Sequence, residues 1–186
     1  NGKQFVAKLK KDLSAWESST VFGTNSTSPN ISPFAFLVDR CSNIYVSGWG
    51  GVINHDYVPA QSTNGLPVTS DAIKPTTDGS DMYFIVIEKN ATSLLYGSFF
   101  GQNEGPSSIG EHVDGGTSRF DKNGVIYQSV CANCFGGATF PTTPGVVAEN
   151  NGTGSAGCNL AAIKIAFNFS GVGSAVQSSI NGVRDT

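Results

Sequence analysis

The sequence is poor in charge. Only 13% of its 186 residues are charged, the formal net charge is -3, and its one basic group is Lys8-Leu9-Lys10-Lys11. Nucleic acid requires a basic face opposite its phosphates, so we expect no nucleic-acid partner. The longest apolar run, residues 82–87, is far shorter than the roughly 20 residues that span a bilayer, so we expect no membrane insertion.

Motifs of the common enzyme classes are also missing. The chain has no Gly-x-Ser-x-Gly elbow and only two histidines, which leaves a Ser/His/Asp triad few ways to form. Glu111-His112-Val113-Asp114 places an imidazole between carboxylates, but on a strand only His112 and Asp114 share a face, which makes a two-ligand pair at best. We interpret this segment as a polar loop cluster. His55-Asp56 is a weaker candidate.

Two oxygen-rich stretches, residues 77–81 and 121–124, are spaced like calcium loops. Neither continues to the bidentate glutamate that completes an EF-hand. Asp and Asn side chains also cap turns for local reasons, and we interpret both stretches as turns. The sequence therefore predicts no enzyme, with no catalytic, cofactor-binding or metal-binding residue.

The chain has an even number of cysteines, the four residues Cys41, Cys131, Cys134 and Cys158. Structural disulfides are the favoured interpretation, with three pairings open and with free or mixed cysteines as an alternative. Cys131-Ala-Asn-Cys134 also has the spacing of half a zinc site or of a redox pair. We predict that Cys131 or Cys134 bonds to Cys158, because closing about 25 residues stabilises a long loop by roughly 3 kcal/mol in the chain-entropy model.

The chain repeats itself. Residues 4–23 return 78 positions later as residues 82–101, and the strand at residues 5–9 returns again at residues 161–165. A second landmark links Asp39 to Asp121, and a third links Leu66-Pro67 to Phe140-Pro141. A fixed period of this kind is typical of an array whose units bury their apolar faces on neighbours.

Each unit predicts four short antiparallel strands followed by a loop of roughly 30 residues, an uncommon loop length. Four strands per repeat indicate a blade of a β-propeller, and a complete propeller has roughly four to eight blades. We therefore expect an all-β fold with blades at residues 1–81 and 82–158 and the start of a third at 159–186. Residues 4–50 and 82–130 should form two superposable sheets packed face to face.

The repeat resembles the SBBP family of seven-bladed β-propeller repeats. The resemblance rests on Phe5-Val-Ala-Lys-Leu9, on the segment from Asp39 to Gly48, and on Phe140-Pro-Thr-Thr-Pro-Gly145. Trp49-Gly-Gly and Cys131-Ala-Asn-Cys134 resemble a subgroup found in large surface proteins of Bacteroidetes. This resemblance implies a secreted or cell-surface location and an association with gliding motility and type IX secretion.

We expect a non-enzymatic structural or adhesive module of an exported surface protein. Its partners would be other domains of that protein, neighbouring copies of the chain, or glycans. Trp49, at a strand end, is a candidate platform for a sugar ring, although packing between blades is favoured. Two alternatives stay open, namely a self-assembling fibre or ring subunit and part of a propeller-type glycan hydrolase or lyase. Open blades at both ends should make the isolated chain associate.

Overall fold

The fold is all-β. The computed structural model describes residues 2–102, 110–114, 118–132, 140–149 and 158–167. Its strands are β1 (Gln4–Leu9), β2 (Trp16–Phe22), β3 (Ser32–Val38), β4 (Ile44–Trp49), β5 (Met82–Ile87), β6 (Leu94–Phe100), β7 (Ser118–Phe120), β8 (Ile126–Ala132) and β9 (Asn159–Ile165). A 3-10 turn, Val52–Asn54, is the one helical element in these ranges. Within them, no helix has the length and apolar character needed to cross a membrane.

The strands form three antiparallel sheets. The hairpin is β1-β2, the central sheet has the order β3-β4-β5-β6, and the third sheet has the order β7-β8-β9. The prediction that residues 4–50 form one sheet and residues 82–130 another is therefore wrong. The central sheet joins the second half of one repeat to the first half of the next, so its pairing crosses the predicted boundary between residues 81 and 82. Likewise, β8 pairs with β9 across the predicted boundary at residue 158.

Both faces of β5 in the central sheet are buried, as its uninterrupted apolar run predicts. Alternate residues of β5 enter two different clusters because successive side chains of a strand point to opposite faces. Tyr83, Ile85 and Ile87 belong to the cluster that Val6 and Phe22 of the hairpin cover. The opposite residues, Met82, Phe84 and Val86, belong to the cluster shared with β8 and β9.

Aromatic rings fill the space between the central and third sheets. Phe167, just after β9, is almost fully buried. The centroid of its ring lies 5.0 Å from that of Tyr96, 5.8 Å from Phe84, 6.2 Å from Phe120 and 6.4 Å from Tyr45. Offset and tilted rings at these separations attract one another beyond their apolar burial. This residue therefore connects strands of both sheets.

The two tight hairpin turns use the same chemistry. Asp39 Oδ1 accepts the Asn43 amide at 2.8 Å, and Asp121 Oδ1 accepts the Val125 amide at 3.0 Å. A left-handed residue follows in each turn, Ser42 with φ 68° and Gly124 with φ 77°. These aspartates act as turn caps, which agrees with the interpretation of residues 121–124 as a turn.

The long connection from β4 to β5 adds to the core as well as covering the surface. Leu66 is buried in the cluster between the hairpin and the central sheet. Phe140, its counterpart in the next repeat, is buried in the cluster between the central and third sheets. Its ring stacks edge-on against Phe100 with centroids 5.5 Å apart. The Leu/Phe-Pro landmark therefore places one apolar side chain at each interface between neighbouring sheets.

Candidate functional site

One face of the hairpin carries apolar side chains that nothing in the described structure covers. Phe5 is 66% exposed and Val21 62% exposed, and they are cross-strand neighbours. Leu9 and Trp16 form a second pair further along the same hairpin, and both are exposed. We call these four residues the hairpin face. A group of exposed apolar residues on one sheet face is typical of an interaction surface.

The repeat shows what this face becomes when a neighbour is present. Phe5, Leu9 and Val21 correspond to Tyr83, Ile87 and Phe99, 78 positions later. All three counterparts are buried in the cluster beneath the hairpin. The same positions are thus buried in the central sheet and exposed in the hairpin, and the neighbouring sheet accounts for the difference.

The edge of the hairpin is incomplete by the same comparison. Strand β5 lies between β4 and β6, whereas its counterpart β1 pairs with β2 alone among the described strands. The free edge of β1 therefore presents backbone N–H and C=O groups that another strand can pair with.

A cleft of about 570 Å³ lies beside that edge. Its walls include Val6 and Ala7 of β1 and Pro33, Phe36 and Val46 of the central sheet. On the opposite side of β3, strand β7 packs against it. Since β7 corresponds to β3 in the repeat, the cleft occupies the place where an equivalent strand pair beside β1 would cover β3 and β4.

The Gln4 side chain holds the hairpin next to this cleft. Its Oε1 accepts the backbone amides of Asn30 at 3.0 Å and Ile31 at 3.2 Å, while its Nε2 donates to the Ile31 carbonyl at 3.0 Å. A buried amide with all three bonds formed fixes the position of β1. Because Gln4 also lines the cleft, these hydrogen bonds fix the position of that wall.

A buried group of charged side chains lies beside the start of β5 and the end of β6. Lys74 Nζ lies 2.5 Å from Asp81 Oδ1 and donates to the Gln102 carbonyl. Glu111 accepts the Gln102 amide at 3.0 Å. Both acidic side chains are buried, and burial raises the pKa of Asp81 and raises that of Glu111 to about 7. A Cβ on Gly101 would come within 2.5 Å of both carboxyl groups.

This arrangement favours the neutral form of Glu111 at pH values below its raised pKa of about 7. The ammonium of Lys74 balances one carboxylate, and a neutral Glu111 avoids placing a second negative charge in the same buried space. The sequence pattern did not indicate this cluster. A lone lysine and two acidic residues at unrelated positions have no spacing that links them, so only the folded chain brings them together.

The structure joins His112 and Asp114 and adds a third residue to them. His112 Nε2 lies 3.5 Å from Asp114 Oδ2, and Cys131 Sγ lies 3.5 Å from the same oxygen. An isolated antiparallel bridge pairs His112 with Cys131. The sequence indicated a two-residue group at best, because the bridge between residues 112 and 131 is a tertiary contact.

The remaining candidates have structural partners. Trp49 is 9% exposed and lies in the core, with its ring centroid 5.9 Å from that of His112, so packing accounts for its position. His55 Nε2 lies 2.9 Å from the Gln61 carbonyl. In the 77–81 stretch, Asp78 Oδ1 accepts the Ser80 amide at 2.9 Å, as a turn requires.

The cysteines differ in their states. Cys41 and Cys131 carry thiols, and Cys158 is disulfide-bonded. The suggested Cys131–Cys158 bond is therefore not formed. Cys134, the other suggested partner of Cys158, lies outside the described residues.

In comparisons with known proteins, no protein-family model matches the chain, and no curated protein matches it significantly.

Proposed function

We propose that the chain is a non-enzymatic structural or adhesive module of an exported surface protein, built from β-propeller blades and acting through association of its sheets. The observation that carries the proposal is the open hairpin. Phe5 and Val21 are exposed where their counterparts Tyr83 and Phe99 are buried.

The grouping of strands into sheets supports a blade architecture. The central sheet is a four-stranded meander in chain order, the form that a propeller blade takes. The hairpin corresponds to its second half, β5-β6. In a blade, a strand pair like β3-β4 would pair with the free edge of β1 and fill the cleft beside it.

The partner that we assign to this surface is a strand pair from another repeat of the same type. In the isolated chain, a second copy can offer the outer edge of its β3 or β7, because β4 and β8 already pair with β5 and β9 in the described structure. Such a partner supplies backbone groups to the edge of β1 and apolar side chains to Phe36 in the cleft. A further sheet packed on the hairpin face would cover Phe5 and Val21, as the hairpin covers Tyr83 and Phe99. An interaction of this kind is strand addition combined with burial of an apolar face.

The burial of the two carboxyl groups with a raised pKa supports a non-enzymatic module. Asp81 and Glu111 are almost fully buried, so they are out of reach of a substrate in solution. The exported location rests on the resemblance of the repeat motifs to surface-protein propellers and on the disulfide at Cys158, since disulfides persist in oxidising compartments.

Sedimentation velocity of the purified chain over a range of concentrations tests the proposal. We expect self-association that weakens on dilution, and we expect Val21→Asp to shift the chain to monomer because it places a charge in the hairpin face. Val147→Asp is the matched control, since Val147 is fully exposed outside this face and its substitution should change nothing.

Circular dichroism of each variant shows whether its strands are retained. A dilution-stable parent monomer that binds no hydrophobic dye would contradict the proposal. Association that Val21→Asp leaves unchanged would place the contact elsewhere and contradict it equally.

A further inference from the structure

The cluster formed by His112, Asp114 and Cys131 lies outside the hairpin face and has a different chemistry. Its nitrogen, oxygen and sulfur ligand atoms all lie within 4.8 Å of one another. In the part of the chain that the structure describes, this is the one group of three such residues with that property. We propose that it is a binding site for Zn²⁺.

The distances within the cluster fit a tetrahedral ion. With Zn–N and Zn–O bonds near 2.1 Å and a Zn–S bond near 2.3 Å, the ligand atoms of a tetrahedral site lie about 3.4–3.6 Å apart. The carboxylate oxygen of Asp114 is 3.5 Å from the imidazole nitrogen of His112 and 3.5 Å from the sulfur of Cys131. Two of the three edges of the ligand triangle therefore already have the required length.

The backbone holds two of the ligands in place before any ion binds. The His112 amide donates to the Cys131 carbonyl at 3.3 Å, and the Cys131 amide donates to the His112 carbonyl at 2.9 Å. The two side chains thus start from directly opposed positions on neighbouring strands, where Cβ atoms lie about 4.5–5.5 Å apart. The packing of the His112 ring against Trp49 further restricts the imidazole.

The donor atoms select the ion. Imidazole nitrogen and thiolate sulfur are ligands for zinc and its neighbours in the first transition row, whereas calcium and magnesium take oxygen. Asp114 is 78% exposed while the His112 side chain is 12% exposed, so an ion enters from the Asp114 side. Three protein ligands leave a fourth position for water or another ligand.

Two features set the affinity. Zinc must displace the Cys131 thiol proton to solvent, so binding strengthens as pH rises. His112 Nδ1 is buried without a hydrogen-bond partner. Zinc-bound histidines usually donate this second N–H to an acceptor. The lack of an acceptor for His112 Nδ1 therefore weakens zinc binding relative to a site that has one.

Titration of the purified chain, with any affinity tag removed and residual metal stripped by a chelator, tests the site. We expect one equivalent of Zn²⁺ to bind, and Co²⁺ to give the sulfur-to-metal charge-transfer band and the intense visible bands of tetrahedral coordination. His112→Gln and Cys131→Ser should each lower the affinity at least about tenfold. Asp114→Asn should weaken binding as well, and its exposed position makes a folding defect an inadequate explanation.

The chain offers matched controls of the same residue types. His55→Gln and Cys41→Ser change the other histidine and the other thiol in the described structure, and both variants should bind zinc as the parent does. No stoichiometric binding by the parent would overturn the assignment. Equal loss in the controls, or a Co²⁺ spectrum without the sulfur band, would overturn it as well.

Discussion

The ring of Phe167 provides the sharpest test of how the central and third sheets pack. Phe167→Ala removes a buried ring whose centroid lies 5.0–6.4 Å from those of Tyr96, Phe84, Phe120 and Tyr45. Truncation of a buried phenylalanine costs about 3–5 kcal/mol, because the transfer energy is lost and a cavity remains. We expect a loss of this size in the free energy of unfolding.

Phe5→Ala is the matched control because it makes the same chemical change at a ring that is 66% exposed. Surface substitutions of this kind typically change stability by about 0.5 kcal/mol or less. Urea unfolding at low protein concentration, followed by circular dichroism, gives both values from the shift in midpoint at constant slope. For a chain of this size the Phe167 variant should also melt about 6–20 °C lower.

A Phe167→Ala variant within 1 kcal/mol of the parent would show that the ring is not held between the sheets, on the scale expected for buried rings. Equal losses in the two variants would show that the hairpin face is covered even in the monomer.

Three further results are expected. Ser42→Gly should raise the free energy of unfolding by up to about 1 kcal/mol and Gly124→Ala should lower it by about the same amount in thermal melts, because both positions have a left-handed φ that glycine adopts without strain. The raised pKa of Glu111, about 7 against an ordinary 4.5, means that the folded state binds the proton more tightly. Its contribution is therefore complete below pH 4.5 and lost as pH rises through 7, by about 3 kcal/mol in all; urea unfolding across this range should show the decline, and Glu111→Gln should flatten it. Lys74→Met should destabilise the chain by about 3–5 kcal/mol, because it leaves the Asp81 carboxylate buried without its cation. Adding Asp81→Asn should recover part of that loss. A Lys74→Met variant as stable as the parent would count against the buried ion pair.

The local elements were predictable from the residues. Runs of β-forming residues bounded by turn signals predict strands at residues 4–9, 16–22, 82–87 and 94–100, and these are the observed bounds of β1, β2, β5 and β6. The two tight turns followed from Asp39 and Asp121, whose side chains cap their own turns. These features depend on neighbours in sequence, and the chain itself contains that information.

The grouping of strands into sheets was not predictable by the same route. Strands β2 and β3 are separated by residues 23–31, while β4 and β5 are separated by residues 50–81, and the shorter connection favoured the wrong pairing. The repeat has the same period wherever its unit is taken to begin. Either division also satisfies the apolar pattern, since β5 is buried on both faces.

The sequence by itself determined the all-β class, the repeat and the positions of the strands, because backbone propensity and apolar alternation act over a few residues. Only the tertiary structure decided which strands pair, which apolar face stays open, and which polar residues meet. The bridge between His112 and Cys131 and the contact of Lys74 with Asp81 show why. Each depends on where the sheets place segments with no shared spacing in the chain, and that placement is a property of the packed sheets as a whole.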